Sequence, residues 1–567
     1  MNSENEIDHV VTSAKRAGKY VGIFSFVINL LLLVSPIYML QLYDRVLSSG
    51  SKETLLVLTI MAVFLLALLA ALEVVRNKIM VLLSGEVDGK LKDGLYNRVI
   101  RLAAAKGPDA GTQAFRDLDM VRQFLASKAP FVFFDAPWAP LFLIVVFIIH
   151  PWLGVLSLMG AIIIFALAYV AEKMSRQLLA KAGGLARWSN QFLDMSLRNH
   201  EVLRAMNLAE GLKQNWEEKR GPGLAMAEEA ADRIGLIYGA TKGIRIGLQV
   251  LVLGLGGYLA LEQVISAGSI VAASIIMGRA LAPVEQAIGA WRNISSSRDA
   301  YIRLKGLIDQ MPADHDAMAL PRPTADIKVT NLIGGLPGTQ DPLLKSLDFT
   351  VQPGRVVGII GPSGAGKSVF LRHLIGVMPP IRGHVRLGGV ELSSWHDEDR
   401  GHYVGYLPQD VELFSGTVAQ NIARFGEVDA EKVYQAAEKA GCHQLILGLS
   451  KGYETEIGTS GQFLSGGQCQ RIALARAVYN DPVMVALDEP DSNLDTEGEI
   501  SLANCIDQLK KTGVTVFMVS HNTRLFGVVD DVLVIKDGKQ MDFGERQSVM
   551  QKFIQSAPVK EAGGQGA

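Results

Sequence analysis

The first half of the chain alternates long apolar runs with long polar segments. Six apolar runs lie at roughly 20–43, 54–75, 131–149, 152–171, 245–261 and 264–284. Each run is close to the ~20 residues that a helix needs to cross a bilayer. Soluble helices seldom continue so far without a polar face. The pattern therefore predicts an α-helical domain with six membrane spans over residues 1–310.

Lysine and arginine are concentrated in the polar segments that follow the second and fourth apolar runs, and are absent from the short turns around His150 and Glu262. Because basic loops remain on the cytoplasmic side, this asymmetry predicts that both chain ends are cytoplasmic. The two basic segments are long for loops and have a helical pattern. We therefore expect spans two to five to continue as helices beyond the membrane.

Arg279 lies late in the sixth apolar run, where a charge is costly and is a candidate for function. Three interpretations remain open. Arg279 lines a conduit and meets acidic segments of a cargo, or it extends to the membrane boundary, or it pairs with Glu285.

A proline-rich segment at 311–325 interrupts the helical periodicity and is predicted to be a linker. Residues 326–555 alternate strand and helix patterns, which predicts an α/β domain with a mainly parallel sheet. The end of the chain, 556–567, is rich in glycine and alanine and is predicted to be disordered.

Composition agrees with a membrane protein, since 49% of the residues are hydrophobic and 20% are charged. The formal net charge of −2 gives no sign of a nucleic-acid partner, and we expect none. The three cysteines, Cys442, Cys469 and Cys505, lack the paired spacing of a metal or redox site. They are predicted to be unpaired thiols.

A buried-strand pattern at 355–360 leads into the glycine-rich segment 361–368, after which an apolar helix pattern begins. This order of strand, glycine-rich loop and helix is typical of a phosphate-binding loop. Its backbone N–H groups would surround phosphate, Lys367 would hold the β- and γ-phosphates, and Ser368 would bind Mg²⁺. The candidate nucleotide-binding residues here are Gly361, Ser363, Gly364, Gly366, Lys367 and Ser368.

A second buried-strand pattern ends at Asp488 and Glu489. Phosphoryl transfer to water uses one carboxylate at the metal and one that polarises the water. Gln409 follows another apolar segment and could reach the metal or the water, and His521 follows a third strand pattern and could contact the γ-phosphate. The catalytic candidates are Glu489, His521 and Gln409, and the metal candidates are Ser368, Gln409 and Asp488.

Leu464-Ser465-Gly466-Gly467-Gln468 stands between the phosphate loop and Asp488. With these elements in this order, residues 325–555 resemble the ATP-binding cassette family. The resemblance implies ATP and Mg²⁺ as cofactors, with the pentapeptide of one subunit covering ATP held by the other. A chain with six spans and one cassette would be an exporter half-transporter that works as a homodimer. The nucleotide-binding candidates in the pentapeptide are Ser465, Gly466, Gly467 and Gln468.

Two positions depart from the family pattern. The segment 331–337 has no aromatic residue to stack on adenine, so we expect adenine to be held weakly or by apolar contacts alone. Thr459 stands where exporters of this class have a glutamate, so coupling to the membrane domain would use other contacts or Glu456.

The membrane half is similar to the permease-ATPases of type I protein secretion in the segments 43–46, 133–138 and 278–283. The resemblance implies ATP-driven export of an unfolded protein with an uncleaved C-terminal signal. It also implies a multi-pass protein in the lipids of the bacterial inner membrane, with a cytoplasmic cassette, a periplasmic adaptor and an outer-membrane channel. The short stretch before the first run favours the subgroup without an N-terminal peptidase-like domain. Segments 115–119 and 197–201 are the candidate coupling segments.

Two other functions remain open. An exporter of lipids or small amphiphiles would have the same cassette and span count, but it would respond to amphiphiles and need no adaptor. An ATP-gated channel or regulator would conduct downhill when hydrolysis is blocked. The complete set of hydrolytic residues favours active export.

Overall fold

The computed structural model describes residues 3–106, 108–310, 321–336, 341–458, 461–522 and 524–556. The chain forms two compact units, Met1–Ala103 with Pro108–Ala313 and Ala104–Gly107 with Asp314–Ala567. Residues 311–320 of the expected linker and 557–567 of the expected tail lie outside the described residues, as does Thr459.

The described part of the first unit is helical. Its helices are α1 (Ser3–Leu31), α2 (Val34–Gln41), α3 (Leu47–Ser49), α4 (Lys52–Lys106), α5 (Pro108–Ala126), α6 (Phe131–Asp135), α7 (Ala139–Ile149), α8 (Pro151–Arg198), α9 (His200–Ala205), α10 (Ala209–Leu261) and α11 (Ala267–Gln310). A π-helical turn, Leu42–Val46, joins α2 to α3, and a 3₁₀ turn, Ala136–Trp138, joins α6 to α7.

The prediction of six apolar spanning helices is confirmed within the described ranges. The stretches that are long and apolar enough to cross a membrane are His9–Ser49, Lys52–Ala104, Phe131–Ile149, Pro151–Arg198, Ala209–Leu261 and Ala267–Asp309. Helix α4 has 55 residues. At 1.5 Å per residue it is about 80 Å long, well beyond the ~30 Å hydrocarbon thickness. Helices α8 and α10 are similarly long, with 48 and 53 residues.

The third span differs from the expected uninterrupted helix, and that expectation is wrong here. Helix α5 ends at Ala126, and the spanning helical stretch begins only at Phe131. Pro130 lies in this break, and Pro137 lies in the 3₁₀ turn that follows. Proline lacks a backbone N–H and disfavours α-helical backbone in the residue before it. The polar segment before this span is therefore a separate helix.

The core of the membrane unit lies among α7, α8, α10 and α11. Val146, Leu153 and Val252 have no exposed surface and belong to one cluster of buried side chains. Gly160 on α8 faces Leu248 on α10 so closely that an added Cβ would lie 2.2 Å from a Leu248 methyl group. A small residue is therefore needed at this point for α8 and α10 to approach each other.

The second unit contains two sheets. Its strands are β1 (Ile327–Gly334), β2 (Leu344–Val351), β3 (Val356–Ile360), β4 (Arg382–Leu387), β5 (Val390–Glu391), β6 (Val404–Leu407), β7 (Met484–Asp488), β8 (Thr515–Val519), β9 (Asp531–Lys536) and β10 (Lys539–Glu545). One sheet is antiparallel with the order β2-β1-β4-β5. The other has the order β10-β9-β3-β8-β7-β6 and is parallel except for the β9–β10 pair.

Eight helices accompany these sheets in the described residues. They are α12 (Lys367–Leu374), α13 (Asp397–Tyr403), α14 (Val418–Ile422), α15 (Ala430–Lys439), α16 (His443–Leu447), α17 (Gly466–Val478), α18 (Thr496–Lys511) and α19 (Arg546–Ser556).

The six-stranded sheet positions the candidate site. Every residue of β7 and β8 is buried, as is typical of central parallel strands covered on both faces. Asp488 at the end of β7 pairs with Val519 at the end of β8, and Val519 also pairs with Ile359 of β3. The carboxyl ends of these strands therefore meet at one edge, where ligands bind in open α/β sheets.

Candidate active site

The phosphate loop connects β3 to α12. A Cβ added to Gly361 would lie 2.0 Å from the carbonyl oxygen of Ile535 on β9, so only glycine fits against this strand. Gly366 has φ +97° and precedes the first residue of α12. That left-handed backbone is open to glycine at little cost. Ser363 and Gly364 are exposed at the turn of the loop.

Lys367 lies at the start of α12 and is nearly buried, with 8% of its surface exposed. Its Nζ donates hydrogen bonds to the carbonyl oxygens of Gly361 at 2.9 Å and Pro362 at 3.2 Å. The ammonium group is therefore held inside the loop by neutral acceptors. This arrangement leaves its positive charge available for an anion.

Ser368 and Asp488 are brought together from α12 and β7. The Ser368 Oγ donates a hydrogen bond to the Asp488 Oδ1 at 3.1 Å. Asp488 is almost fully buried, and this burial raises its pKa above the ordinary value for aspartate, although the bond from Ser368 opposes the increase. Glu489, the next residue, adds a like charge that raises the same pKa further.

Glu489 has a strained backbone with φ +49°, in the left-handed region that side-chain-bearing residues seldom adopt. Its N–H donates to the carbonyl oxygen of Val519 at 2.9 Å, which fixes the turn against β8. The side-chain Nε2 of Gln409 donates to the Glu489 Oε2 at 2.9 Å. Such strain, which costs about 1–3 kcal/mol, is concentrated at functional sites.

His521 lies two residues beyond the end of β8 and is exposed. No hydrogen bond or ion pair joins its ring to another residue in the described part of the chain. The preceding residue, Ser520, is buried and accepts a hydrogen bond from the Asn522 N–H at 2.9 Å. The strand end thus fixes the backbone on both sides of His521 and leaves the imidazole accessible.

The pentapeptide 464–468 forms the start of α17. Ser465 is the N-cap, and its Oγ accepts from the Gln468 N–H at 3.3 Å while the Gln468 Oε1 accepts from the Ser465 N–H at 2.9 Å. This capping box occupies the side chain oxygen of Gln468. Ser465 and Gly466 are exposed and Gly467 is half-buried. Within the described residues, no hydrogen bond connects this pentapeptide to the phosphate loop of the same chain.

Gln470 and Arg471 also belong to the site, although no motif in the sequence marks them. The buried Gln470 Nε2 donates to the carbonyl oxygen of Pro490 at 3.1 Å, directly after Glu489. Arg471 donates to the Asp495 Oδ1 at 2.7 Å. Two adjacent polar residues in an otherwise buried helix were the available signal. They connect α17 to the loop that carries Glu489.

The Asp495 carboxylate also caps α18, where its Oδ1 accepts from the Gly498 N–H at 2.8 Å. This backbone hydrogen bond, followed by Arg471, lowers the pKa of Asp495. Asp495 therefore stays ionised beside the site.

Gly334, at the end of β1, leaves no room for a stacking side chain near the expected adenine position. A Cβ at Gly334 would lie 2.3 Å from the Nε2 of His373, a buried residue of α12. His373 is held by a 2.9 Å contact between its Nδ1 and the carbonyl oxygen of Met378. The next apolar side chain, Leu336, is 40% exposed.

The membrane unit resolves one alternative for Arg279. Glu285 forms an ion pair with Arg245, with the Nε of Arg245 2.8 Å from the Glu285 Oε2. The expected pairing of Glu285 with Arg279 is therefore wrong, because Glu285 pairs with Arg245 of α10 instead. Arg279 is exposed on α11, between buried neighbours Met277 and Ala280, and no ion pair includes it in the described ranges.

Two family profiles match the chain. The ABC transporter profile matches residues 344–492, and the ABC transporter transmembrane region profile matches residues 20–283. The first covers β2 to the turn after Glu489, and the second covers the six apolar helices up to the middle of α11.

Relatives that match most of the chain include ATP-binding proteins of secretion and toxin translocation. The chain is 39% identical over 543 residues to the type I secretion system ATP-binding protein PrsD of Rhizobium meliloti (strain 1021), covering 95% of this chain and 93% of PrsD. It is 25% identical over 540 residues to the toxin RTX-I translocation ATP-binding protein of Actinobacillus pleuropneumoniae, covering 93% of this chain and 75% of that protein.

A solved structure of a bacterial Atm1-family ABC exporter with ATP bound has a TM-score of 0.80 to this chain. The match covers 96% of this chain and 99% of the other at 21% identity. It therefore supports the fold, which is the expected six-span helical domain followed by an α/β cassette. Together with the two profiles and the similarity to PrsD, it shows that this chain belongs to the ABC transporter family, as a multi-pass membrane exporter that hydrolyses ATP to drive transport.

Proposed function

We propose that this exporter moves unfolded proteins with an uncleaved C-terminal signal across the inner membrane. The observation that carries the proposal is the 39% identity to a type I secretion ATP-binding protein over 95% of the chain. Such continuity includes the membrane helices, which form the path of the cargo. The cassette would lie in the cytoplasm, where ATP is available. The basic segments after the second and fourth apolar runs favour the same side of the membrane.

ATP would bind at the carboxyl edge of the six-stranded sheet. The N–H groups of the glycine-rich loop and the N-terminus of α12 would face the phosphates. Lys367, which now donates to Gly361 and Pro362, would turn to the β- and γ-phosphates. A charge-assisted bond to phosphate is stronger than a bond to a neutral carbonyl group, so the exchange favours nucleotide binding.

The residues at this edge fit a magnesium ion. Ser368 and Asp488 present a hydroxyl and a carboxylate oxygen 3.1 Å apart. Gln409, in the loop after β6, would add an amide oxygen. Oxygen donors in small number suit Mg²⁺, which takes its remaining ligands from phosphate and water. Mg²⁺ bound there would neutralise the charge that develops on the transferred phosphoryl group.

Glu489 would polarise the attacking water. Its carboxylate accepts from Gln409, which orients it, and its strained backbone holds it beyond the end of β7. Because Gln409 contacts the same carboxylate, binding of the metal or the nucleotide to Gln409 would change the orientation of Glu489. His521, with an accessible imidazole after β8, would contact the γ-phosphate.

A homodimer would complete each ATP site. Ser465, Gly466 and Gly467 are at least partly accessible at the start of α17 and would meet ATP held by the partner's phosphate loop. In this scheme the side chain of Gln468 supports the turn through the capping box, and its remaining amide N–H groups face the nucleotide. Closure on two ATP molecules would switch the membrane helices, and hydrolysis would reopen them.

Export through two membranes would require a periplasmic adaptor and an outer-membrane channel. We therefore place the dimer in the inner membrane as the energised component of a three-part assembly. Arg279, an exposed cation between buried neighbours on α11, would line the conduit and attract acidic cargo segments.

Covalent capture of the assembly tests this proposal. The Glu489→Gln chain, carrying an affinity tag, is cross-linked in growing cells and purified. Lys367→Ala, whose ATP binding should be weakened, is the control. We expect an adaptor, an outer-membrane channel and one or a few secreted proteins to be captured with Glu489→Gln. Capture of the chain alone, with ATPase activity of the purified native chain that responds to small amphiphiles, would instead support a lipid or drug exporter.

A further inference from the structure

An open groove lies on the surface of the membrane unit between α1 and the segment Phe131–Trp138. Its volume is about 440 Å³. The residues that matter for its chemistry are Lys19, Gly22, Phe26, Phe133, Phe134 and Trp138. All of its lining is apolar except for Lys19. This volume falls within the range of ~300–1,000 Å³ typical of small-molecule sites.

A buried polar network holds one wall of the groove in place. The Asp135 Oδ1 accepts hydrogen bonds from Arg76 at 2.8 Å and from Asn29 at 3.1 Å. Arg76 also donates to the Ser25 Oγ at 2.9 Å and lies 4.2 Å from the centre of the Phe131 ring. The segment that carries Phe133 to Trp138 is thereby tied to both α1 and α4. The groove is therefore a fixed part of the folded unit.

The other wall is set by a glycine and an aromatic contact on α1. A Cβ added to Gly22 would meet only Phe134, at 4.0 Å, so the space beside this glycine is open. The rings of Phe26 and Trp138 are 4.7 Å apart at the far end. Phe133 remains 57% exposed. The groove is therefore open sideways, toward the lipid that surrounds a membrane protein.

The groove has a charged end and an apolar part, as expected for a surface that extends from the lipid headgroups into the membrane. Lys19 immediately precedes the first apolar run, and Ile23 and Phe26 follow it at the i+4 and i+7 positions of the same helix face. Lys19 is exposed, and no ion pair includes it within the described residues. A free cation thus stands at the headgroup end of a groove whose apolar walls continue into the membrane.

We propose that this groove binds one anionic phospholipid, with an acyl chain between the aromatic side chains and the phosphate on Lys19. The occupant is inferred from charge complementarity, because a zwitterionic lipid would offer no net charge to an unpaired lysine. Each lysine at a membrane surface attracts anionic lipid by about 1 kcal/mol, a preference of roughly fivefold. The proposal concerns the membrane unit alone and is independent of the cargo.

Native mass spectrometry of the full-length chain in detergent tests the headgroup contact. Phosphatidylglycerol and phosphatidylcholine of equal acyl length are titrated in parallel. We expect the native chain to retain phosphatidylglycerol about fivefold better, and Lys19→Gln to lose that preference. An equal preference in Lys19→Gln and the native chain overturns the proposal.

Lys78→Gln is the matched control. Lys78 is also exposed and lies on α4, whose register with α1 is given by the hydrogen bonds Arg76–Ser25 and Glu86–Ser13. This register puts Lys78 within about one helical turn of the depth of Lys19, but outside the groove. Lys78→Gln should keep the preference. A loss as large as that of Lys19→Gln would indicate diffuse attraction to a basic surface and overturn the proposed site.

Fluorescence tests the acyl contact separately. Phosphatidylglycerol with a brominated acyl chain should quench Trp138, measured as the difference between the native chain and Trp138→Phe. Gly22→Leu keeps Lys19 but fills the groove, so it should abolish that quenching. Quenching that persists in Gly22→Leu overturns the proposal.

A Phe133→Cys variant tests whether a second copy covers the groove, since the three native cysteines are buried. Oxidation should leave this variant monomeric on a denaturing gel. A disulfide-linked dimer in high yield would assign the groove to a subunit interface and exclude lipid as its occupant.

Discussion

The Gln409 side chain donates a 2.9 Å hydrogen bond to the carboxylate of Glu489, across two loops that are 80 residues apart in sequence. Their strands, β6 and β7, are parallel neighbours, with Leu407 paired to Leu487. The pairing of the strands brings the two loops to the same edge. A change in what Gln409 contacts would therefore alter the orientation of the proposed catalytic carboxylate.

Glu489→Gln should abolish ATP hydrolysis and retain ATP. The substitution keeps the shape of the side chain but removes its basicity, and general-base catalysis contributes about 10²–10⁴-fold. Phosphate release and bound nucleotide are measured on the purified chain. Glu497→Gln, at an exposed position in the first turn of α18, is the control and should retain native activity. Native turnover by Glu489→Gln would remove Glu489 from its proposed role.

Lys367→Ala should weaken nucleotide binding by about 10- to 100-fold. Hydrogen bonds to charged groups contribute about 1.5–3 kcal/mol, which corresponds to that range of affinity. Lys328→Ala, which removes an exposed lysine from β1, should bind like the native chain. Titration of a fluorescent ATP analogue measures both. Equal affinities for native and Lys367→Ala would contradict the assignment of the phosphate loop.

The native chain should discriminate poorly between ATP and GTP. Gly334 cannot carry a side chain because of His373, and Leu336 offers an aliphatic surface without the stacking of an aromatic ring. Leu336→Tyr should improve ATP affinity by up to about tenfold, since an aromatic pair adds about 0.5–1.5 kcal/mol. Hydrolysis of both nucleotides is compared at limiting concentrations. A strong preference for ATP in the native chain that is unchanged in Leu336→Tyr would contradict the prediction of weak base selectivity.

Asp488 should make the stability of the nucleotide-free chain depend on pH. Burial raises its pKa in the folded chain, so the folded state retains a proton to higher pH than the unfolded state does. Its contribution to the free energy of unfolding is therefore largest at low pH and declines as pH rises above about 4, the ordinary aspartate value. Asp488→Asn should lack this decline.

Thermal unfolding midpoints of the native chain and Asp488→Asn are compared across that range. Relative to the variant, the native chain should become less stable as pH rises. A constant difference would show that the ionisation of Asp488 does not change on folding.

Arg279→Gln and Arg245→Gln should have different effects. Arg245 pairs with Glu285, and both are mostly buried, so its loss should lower the unfolding temperature. Arg279 has no such partner among the described residues, and Arg279→Gln should leave the unfolding temperature unchanged while reducing export. Unimpaired export by Arg279→Gln would exclude the conduit role.

The sequence was most informative where one local pattern contains both the structure and its chemistry. The strand, loop and helix around Lys367 could be predicted because an apolar run leads directly into glycines and the motif residues. The six apolar helices were predictable for the same reason, since span length depends on local hydrophobicity.

Relationships between distant segments could not be predicted in this way. Arg245 pairs with Glu285 because of the register between α10 and α11, which no local pattern encodes. Gln470 reaches the carbonyl group of Pro490 because the fold places α17 beside the turn that follows β7. The break before Phe131 is a local feature that could have been predicted, because Pro130 stands directly before the new helix. The helical periodicity on both sides of Pro130 obscured this signal.

The most direct test of protein export compares culture-medium proteins by mass spectrometry between cells with the native chain and cells with Glu489→Gln. We expect the selective loss, in the Glu489→Gln culture, of one or a few proteins whose C-termini are intact in the native culture. Unchanged medium proteins, with both chains expressed at equal levels, would contradict protein export and favour a lipid or small-amphiphile cargo.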